Sequence, residues 1–476
     1  MADPDEPAAE PVRLGPGPWA TTWSDVPDDT SRLTAMAWIR GNGVADTSWT
    51  SKTYFNARAI AKDLERQPAG RRTLFPWRYR NSLLDHPFDR IRRPDGTTEN
   101  RPSPFVDGAT IAIRNELSLV LDQLVALGAE IDYLIGDIES NGHFACWNID
   151  QSHIQAILGD PRFGTQVMGN GSTPRQMLGS WSAGQIKNRT PPEAAAAWNA
   201  VMDRLFSDAI LASMIRPVLD RWPNAIVSNY GSVTVDPDQT TPDMNGWHLW
   251  ADSLTGTHPA IETYGRLGGV TEYFGVDESD PTRLVHRGGN SLKPSGWTSL
   301  RVDVNRTRAM LRSHNQPLHV WLASPTWETD GNWRTWYARS PYFRENIFHQ
   351  ALGGAWHFIY WNPIANDAPE ASDRQRRHEE ARELQTILEE VDSATRGDPE
   401  PLPLRTGRIR WDSRSLLSGA KLKDGSSVWR LTVSPEIGVV RFEDRPDLVS
   451  IPPRHRGIWI RRDDTTPPRI IELVER

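Results

Sequence analysis

The chain has 476 residues, enough for two or three domains, one of them with a sizeable core. Lys and Arg number 54 against 61 Asp and Glu, a net charge of −7 with the two signs mixed, which argues against a nucleic-acid or membrane-surface partner. One cysteine, Cys146, excludes an intrachain disulfide and a multi-cysteine metal site, and the apolar runs are too short to span a bilayer.

Residues 1–30 begin Met-Ala-Asp-Pro-Asp-Glu-Pro and read as an acidic, flexible tether. They lack the basic start and apolar stretch of a leader. The expectation is a mature secreted or periplasmic protein whose leader has been removed; the alternative is a cytoplasmic protein with a loose N-terminus. Arg32–Ile39 then reads as a first strand and Thr50–Arg66 as a helix. Arg72–Arg78 reads as a second strand with Trp77 and Tyr79 at its end. Ala112–Leu127 has the broad apolar face of an amphipathic helix and stops at Gly128, a residue suited to a helix C-terminus.

The strand 131–139 follows at once and ends in two acids, Asp137 and Glu139. Residues two apart share one face of a strand, about 7 Å apart along the backbone. Two carboxylates on one face at the end of an apolar strand are costly unless paired or sharing a proton. Their repulsion makes one an acid beside a base.

Further on, Pro192–Arg221 reads as helical and Ala225–Ser228 as a strand leading into Asn229-Tyr230-Gly231. Residues 232–298 are loop-rich, with Gly269–Phe274 as a candidate strand. Thr298–Ser313 reads as a helix, Pro317–Ala323 as a strand, Tyr342–Leu352 as a helix, and Ala355–Trp361 as a strand ended by Asn362-Pro363. Short strands alternating with helices predict the α/β class and, at this length, a (β/α)8 TIM barrel over 31–395, closed by the charged helix Glu370–Val391. The linker at Arg396–Pro403 leads into short runs with turn signals, among them Asp424-Gly425. The segment 396–476 is therefore expected to be a small C-terminal antiparallel β-domain.

Tryptophan is abundant, 21 against 12 Phe and 9 Tyr. An indole offers a flat apolar face and one N–H, which suits the face of a sugar ring. In a barrel the site lies at the carboxyl ends of the strands. The candidates there are Asp137 and Glu139, the amides Asn229 and Asn362, and the aromatics Trp77, Tyr79, Tyr230, Trp321 and Trp361. Carboxylates move protons, amides and Tyr bind hydroxyls, and Trp stacks on the ring.

In this layout the chain resembles the (β/α)8-barrel glycoside hydrolases. The resemblance rests on Leu127-Gly128 leading into a strand that ends in acids, on the segment Ala351-Leu352-Gly353-Gly354-Ala355-Trp356-His357-Phe358-Ile359-Tyr360-Trp361-Asn362, and on the trailing β-domain. It implies hydrolysis of an oligo- or polysaccharide with Glu139 as general acid/base and no cofactor. Two versions stay open. One resembles the Asp-x-Glu chemistry of the chitinase and hyaluronidase group, with Asp137 stabilising a substrate-assisted step, although Ile135 stands where the chitinase motif carries another Asp. The other is a retaining hydrolase whose nucleophile comes from a later strand, the candidates being Glu328, Glu272 and Glu262, with carboxyl groups about 5–5.5 Å apart. His143 lies four residues after Glu139, but no His-rich ligand pair accompanies it, so no metal is expected. A non-catalytic carbohydrate-binding protein on a barrel scaffold is the alternative class. Sugar identity and oligomeric state are not legible.

Overall fold

The computed structural model describes residues 17–39, 57–76, 90–92, 98–102, 107–136, 155, 159, 176, 211–229, 260–262, 274–276, 284–286, 297, 300, 301, 304, 318–323, 342–361, 371–396, 399–402, 414–453 and 455–476. They form a mixed α/β unit with two parallel sheets, followed by antiparallel β-structure.

The first parallel sheet runs Leu33–Ala35, Trp19–Thr22, Ala355–Trp361, Leu318–Ala323, Ala260–Glu262 from edge to edge. The second runs Ala37–Trp38, Thr73–Phe75, Tyr133–Gly136, Ile226–Asn229. One stretch of chain joins them. Met36 N–H donates to Thr22 O in the first sheet, and three residues on Ile39 N–H donates to Phe75 O in the second. The earliest strand lies beside the last, with Trp19 opposite His357 and Thr22 opposite Tyr360. Elsewhere, neighbours in the sheets are mostly neighbours in the chain. Among the described residues no ladder joins Ile226–Asn229 to Ala260–Glu262.

This arrangement corrects the expectation of a tether for residues 17–30; residues 1–16 lie outside the described residues. Trp19–Thr22 is a buried strand held on both sides, by Ala355–Trp361 and by Leu33–Ala35. Its four residues, Trp-Ala-Thr-Thr, show no apolar alternation because Thr21 bonds His357 in the interior while Thr22, on the other face, donates to Ser24 O. The strand expected at Arg32–Ile39 is present as Leu33–Ala35 and Ala37–Trp38, second in order rather than first.

Each sheet has a helix-covered side. The helix Asp107–Ala126 buries Leu117, Val120, Leu121 and Leu124, the i, i+3, i+4, i+7 stripe of an amphipathic helix. It shares a core with Leu74, Leu134 and Val227 of the second sheet. Full burial of each such Leu contributes about 1.5–3 kcal/mol. At its end Gly128 has φ +72°, with Gly128 N–H on Val125 O and Ala129 N–H on Leu124 O. That paired closure satisfies the last carbonyls and turns the chain toward the Tyr133–Gly136 strand. The first sheet is covered in the same way by Tyr342–Leu352 and Ala371–Thr395, whose Ile347, Phe348, Leu384 and Leu388 pack on Val320, Phe358 and Tyr360.

The C-terminal strands form two antiparallel sheets. One runs Glu400–Pro401, Ser415–Lys421, Ser427–Val433, Gly457–Arg462; the other runs Leu448–Ser450, Ile437–Phe442, Ile470–Glu475. Leu417, Trp429, Leu431 and Val433 of the first share a core with Ile437, Val440 and Phe442 of the second. The expected turn at Asp424-Gly425 is present. Gly425 has φ +84°, and Asp424 Oδ1 accepts the Ser426 N–H at 3.0 Å. The opposite face of the larger sheet packs on Tyr342–Leu352. There Glu345 and Arg430 are buried together, with Arg430 Nε at 2.8 Å from Oε2 and Nη2 at 2.5 Å from Oε1.

Candidate functional site

The faces of the parallel sheets that carry no helices share one aromatic cluster. It includes Trp19, Trp23, Met36, Phe75, Tyr133, Ile135, Trp321 and Ile359, with Trp38, Ile226 and Trp361 at its margin. These residues come from both sheets, so the two inner faces look toward each other. Alternation along each strand sorts the chain accordingly: Leu134 joins the helix-side core, whereas Tyr133 and Ile135 join the inner cluster.

Two layers are visible inside. The upper one lies at the carboxyl ends of the strands, and Trp23, the residue after Trp19–Thr22, is its centre. Its ring lies 3.8 Å from Trp361, 4.1 Å from Phe75, 4.8 Å from Trp38 and 6.1 Å from Trp321, measured between centroids. Trp38, Phe75 and Trp361 are the last residues of their strands. Trp23, Phe75 and Trp321 are buried, while Trp38 and Trp361 are only half-buried. The layer therefore presents two partly open indoles resting on three closed rings.

The lower layer is polar and aromatic. The His357 ring stacks on Trp19 at 3.7 Å with a 13° interplanar angle, and Tyr133 sets its edge against both. His357 Nδ1 lies 2.8 Å from His319 Nδ1, and His357 Nε2 lies 2.8 Å from Thr21 Oγ1. Thr21 Oγ1 is 3.3 Å from Thr73 Oγ1, which donates to Arg71 O at 3.0 Å. The protons can be placed from the far end. Thr73 spends its one proton on the carbonyl, so Thr21 must donate to Thr73. His357 Nε2–H then donates to Thr21, and neutral His357 accepts from His319 Nδ1–H. The chain crosses from the first sheet to the second and orders both imidazoles.

His357 and Tyr133 are both held uncharged in this layer. Burial first, then His319 and the nearby Arg71 guanidinium, hold His357 well below the usual imidazole range. Burial pushes the Tyr133 phenol strongly up, so it stays protonated. Arg71 caps the layer 5.3 Å from the Trp19 ring centroid, close enough for a cation–π contact.

Among the expected site residues, Trp321 and Trp361 belong to the upper layer. Trp321 is fully buried within it, and Trp361 is half open. Asn229 is the last residue of its strand and pairs in register with Gly136. Glu262 ends the Ala260–Glu262 strand, opposite Trp321 in the ladder. Asp137, Glu139, Glu272, Glu328, Trp77, Tyr79, Tyr230, Asn362 and His143 lie outside the described residues. Sequence reasoning missed Trp23, Trp38, His319 and His357. A signal existed for the histidines, since each shares a strand face with a later Trp, His319 with Trp321 and His357 with Trp361. Among the described residues no group of three or more His, Cys, Asp or Glu could hold a metal ion. No helix of the described residues is long and apolar enough to cross a membrane.

No family model matches the sequence, and no curated protein matches it either. Solved structures give faint likenesses. An endo-β1,6-glucanase aligns over 87% of this chain and 75% of its own at 10% identity, with a TM-score of 0.38. The GH51 arabinofuranosidase from Xanthomonas axonopodis pv. citri aligns over 91% of this chain and 93% of its own at 11% identity, with a TM-score of 0.27. Likenesses this faint leave the function to be argued from the chain's own geometry.

Proposed function

We propose that this chain is a glycoside hydrolase acting on an oligo- or polysaccharide, with Glu139 as general acid/base and Asp137 beside it. The two parallel sheets would be the two arcs of a (β/α)8 barrel. Consecutive strands are neighbours, the first lies beside the last, and helices cover the outer faces. The substrate would enter at the carboxyl ends, over Trp38 and Trp361.

One observation carries the reading. Tyr133 and Ile135 both lie in the inner cluster, and Asp137 and Glu139 continue the same odd-numbered series beyond the strand's last residue, Gly136. Strand alternation carried two steps further would put both acids on the inner side, at the end where Trp23, Trp38 and Trp361 gather. An acid above a bed of indoles has what glycosidic cleavage requires: a proton for the leaving oxygen and an apolar face for the ring.

The partner of Glu139 is the finer part of the proposal. Asp137, two residues before Glu139 in the sequence, would serve a substrate-assisted step. In a retaining mechanism the nucleophile would be Glu328, five residues beyond Ala323, or Glu272. A panel of aryl glycosides and natural polysaccharides tests the reading in the wild type and in Glu139→Gln. The expected result is hydrolysis of at least one substrate, reduced by roughly 10²–10⁴ in the variant, the range for losing a positioned general acid. Hydrolysis that survives the substitution removes Glu139 from this role. Binding without any hydrolysis favours the non-catalytic carbohydrate-binding alternative.

A further inference from the structure

We infer that a cleft in the C-terminal β-sandwich is a second binding site for a neutral saccharide, distinct from the carboxyl-end aromatic layer. The inference rests on the substrate class proposed above. The cleft has a volume of about 540 Å³, and its lining includes Pro467, Ile470, Glu443, Asp444, Arg462 and Arg469. That volume is in the range of small-ligand sites.

The lining charges identify the ligand class. Arg469 Nη1 reaches Glu443 Oε1 at 2.9 Å and Oε2 at 3.2 Å. Arg462 pairs with Asp444, and its Nε also lies 3.7 Å from Asp464 Oδ1. Both guanidinium groups thus already face carboxylates, so the cleft offers no uncompensated charge to a phosphate or a metal ion. Each pair instead sets N–H donors beside carboxylate acceptors. Vicinal sugar hydroxyls, which both donate and accept, match that array. Pro467 and Ile470, both half-buried, supply the apolar surface for the C–H face of the ring, over the buried Leu417 and Pro468.

The cleft is also built before any ligand arrives. Thr466 N–H donates to Asp464 Oδ1 at 2.9 Å, and the Ser427 hydroxyl donates to Asp464 O at 2.5 Å. The hydrogen bonds from Thr466 hold the Asp464 carboxyl below its usual range, so it stays ionised and keeps the turn closed. The next two residues are prolines with fixed φ, and Glu443 N–H donates to Arg469 O at 2.9 Å. A wall held this way loses little conformational freedom on binding.

Electrophoresis of the full chain through native gels containing β-glucan, xylan, arabinan or glycol chitin tests the inference. The Glu139→Gln background prevents consumption of the polymer. Retardation by at least one polymer is expected, and Arg469→Ala should weaken it at least threefold. Arg469 is 74% exposed in its side chain, so that variant is expected to fold normally. Arg462→Ala should weaken retention further. In the hydrolytically competent chain, Arg469→Ala should raise KM on the polymer and leave turnover of a short aryl glycoside unchanged. Retention is read without hydrolysis, so it stands or falls separately from the role of Glu139. Failure of every polymer to retard the chain, or equal retardation of Arg469→Ala and its parent, overturns the inference. Retardation that is abolished by salt overturns the neutral-ligand assignment.

Discussion

Two buried polar clusters hold this molecule together, and they handle charge in opposite ways. Between the helix Tyr342–Leu352 and the C-terminal sheet, a full ion pair is buried. Inside the parallel sheets, His357 is buried uncharged, hydrogen-bonded to His319 and to Thr21. At the junction every carboxylate oxygen of Glu345 is met: Oε1 by Arg430, and Oε2 by Arg430 and by the Thr432 hydroxyl at 2.5 Å. Since Thr432 gives its proton to Glu345, His349 Nε2–H must donate to Thr432 at 2.9 Å, leaving Nδ1 to accept from Ser418 at 2.7 Å. The Arg430 guanidinium also lies 4.6 Å from the Phe348 ring centroid and 5.0 Å from that of Trp459. Burying a charge is tolerable only when its partners are this complete. In the interior the partners of His357 are His319 and Thr21, and burial holds the ring uncharged.

The largest effect should come from breaking the charged cluster on one side. Arg430→Ala leaves Glu345, with no exposed side-chain surface, as an unpaired buried charge. The expected loss is about 3–5 kcal/mol in chemical denaturation. Replacing both partners, Glu345→Leu with Arg430→Met, should recover most of it. If the single and double variants are equally unstable, the loss comes from packing on Phe348 and Trp459 rather than from charge.

Gly457 sharpens the same point. A Cβ there would lie 2.6 Å from Glu345 Oε2, 2.7 Å from Leu431 O and 2.8 Å from Thr432 Oγ1. One of those atoms is backbone and the others are fixed by the network, so nothing can give way cheaply. Gly457→Ala should cost about 1–3 kcal/mol, the range for overpacking. A melt within experimental error of wild type would mean that the junction has slack.

The difference between the clusters also explains what could be read from the sequence. Tyr342–Leu352 and Ala355–Trp361 were legible to the residue because Gly353-Gly354 and the apolar runs mark their ends locally. The Asp107–Ala126 helix was legible from Ala112 onward with its Gly128 stop, but its start, five residues earlier, carried no local mark. Trp19–Thr22 and Ala260–Glu262 were not legible. Each is very short, and each becomes a strand through partners almost 340 and about 60 residues away. The Glu345–Arg430 pair is invisible in sequence because 85 residues separate its members. Of the candidate site, the aromatic character of the strand ends was legible at Trp321 and Trp361. The central ring was not, since Trp23 lies just past a strand that gave no signal.

The neutral cluster should respond to acid. Because His357 in the fold is held well below its usual range, the folded protein resists a proton that the unfolded chain takes up below about pH 6.5. Its contribution is therefore complete above that pH and is lost as pH falls beneath it. The slope is up to about 1.4 kcal/mol per pH unit for one proton. Protonation would also force His319 to surrender its Nδ1 proton or lose the contact. Comparing denaturation midpoints of wild type and His357→Phe from neutral to acidic pH checks this. The variant should be less stable near neutrality but should lose about one proton's worth of pH dependence. Identical slopes would place the acid sensitivity elsewhere.

The smallest effect is expected where charges are paired in water. The segment between Thr22 and Leu33 is tied to the Ala371–Thr395 helix at several points. The Asp29–Arg382 pair has a separation of 3.0 Å, but its side chains are 62% and 52% exposed. The Arg32–Asp392 pair in the same segment is only 15% and 24% exposed, and Arg32 N–H also donates to Gln385 Oε1 at 2.7 Å. Solvent screening makes an exposed pair worth about 0–1 kcal/mol, so Asp29→Asn should change stability by less than about 0.5 kcal/mol. Asp392→Asn should cost more, because it weakens a partner of the less exposed Arg32. If instead Asp29→Asn is the more damaging of the two, burial does not set the worth of these pairs. The contrast between buried and solvated charge would then fail at its gentlest test.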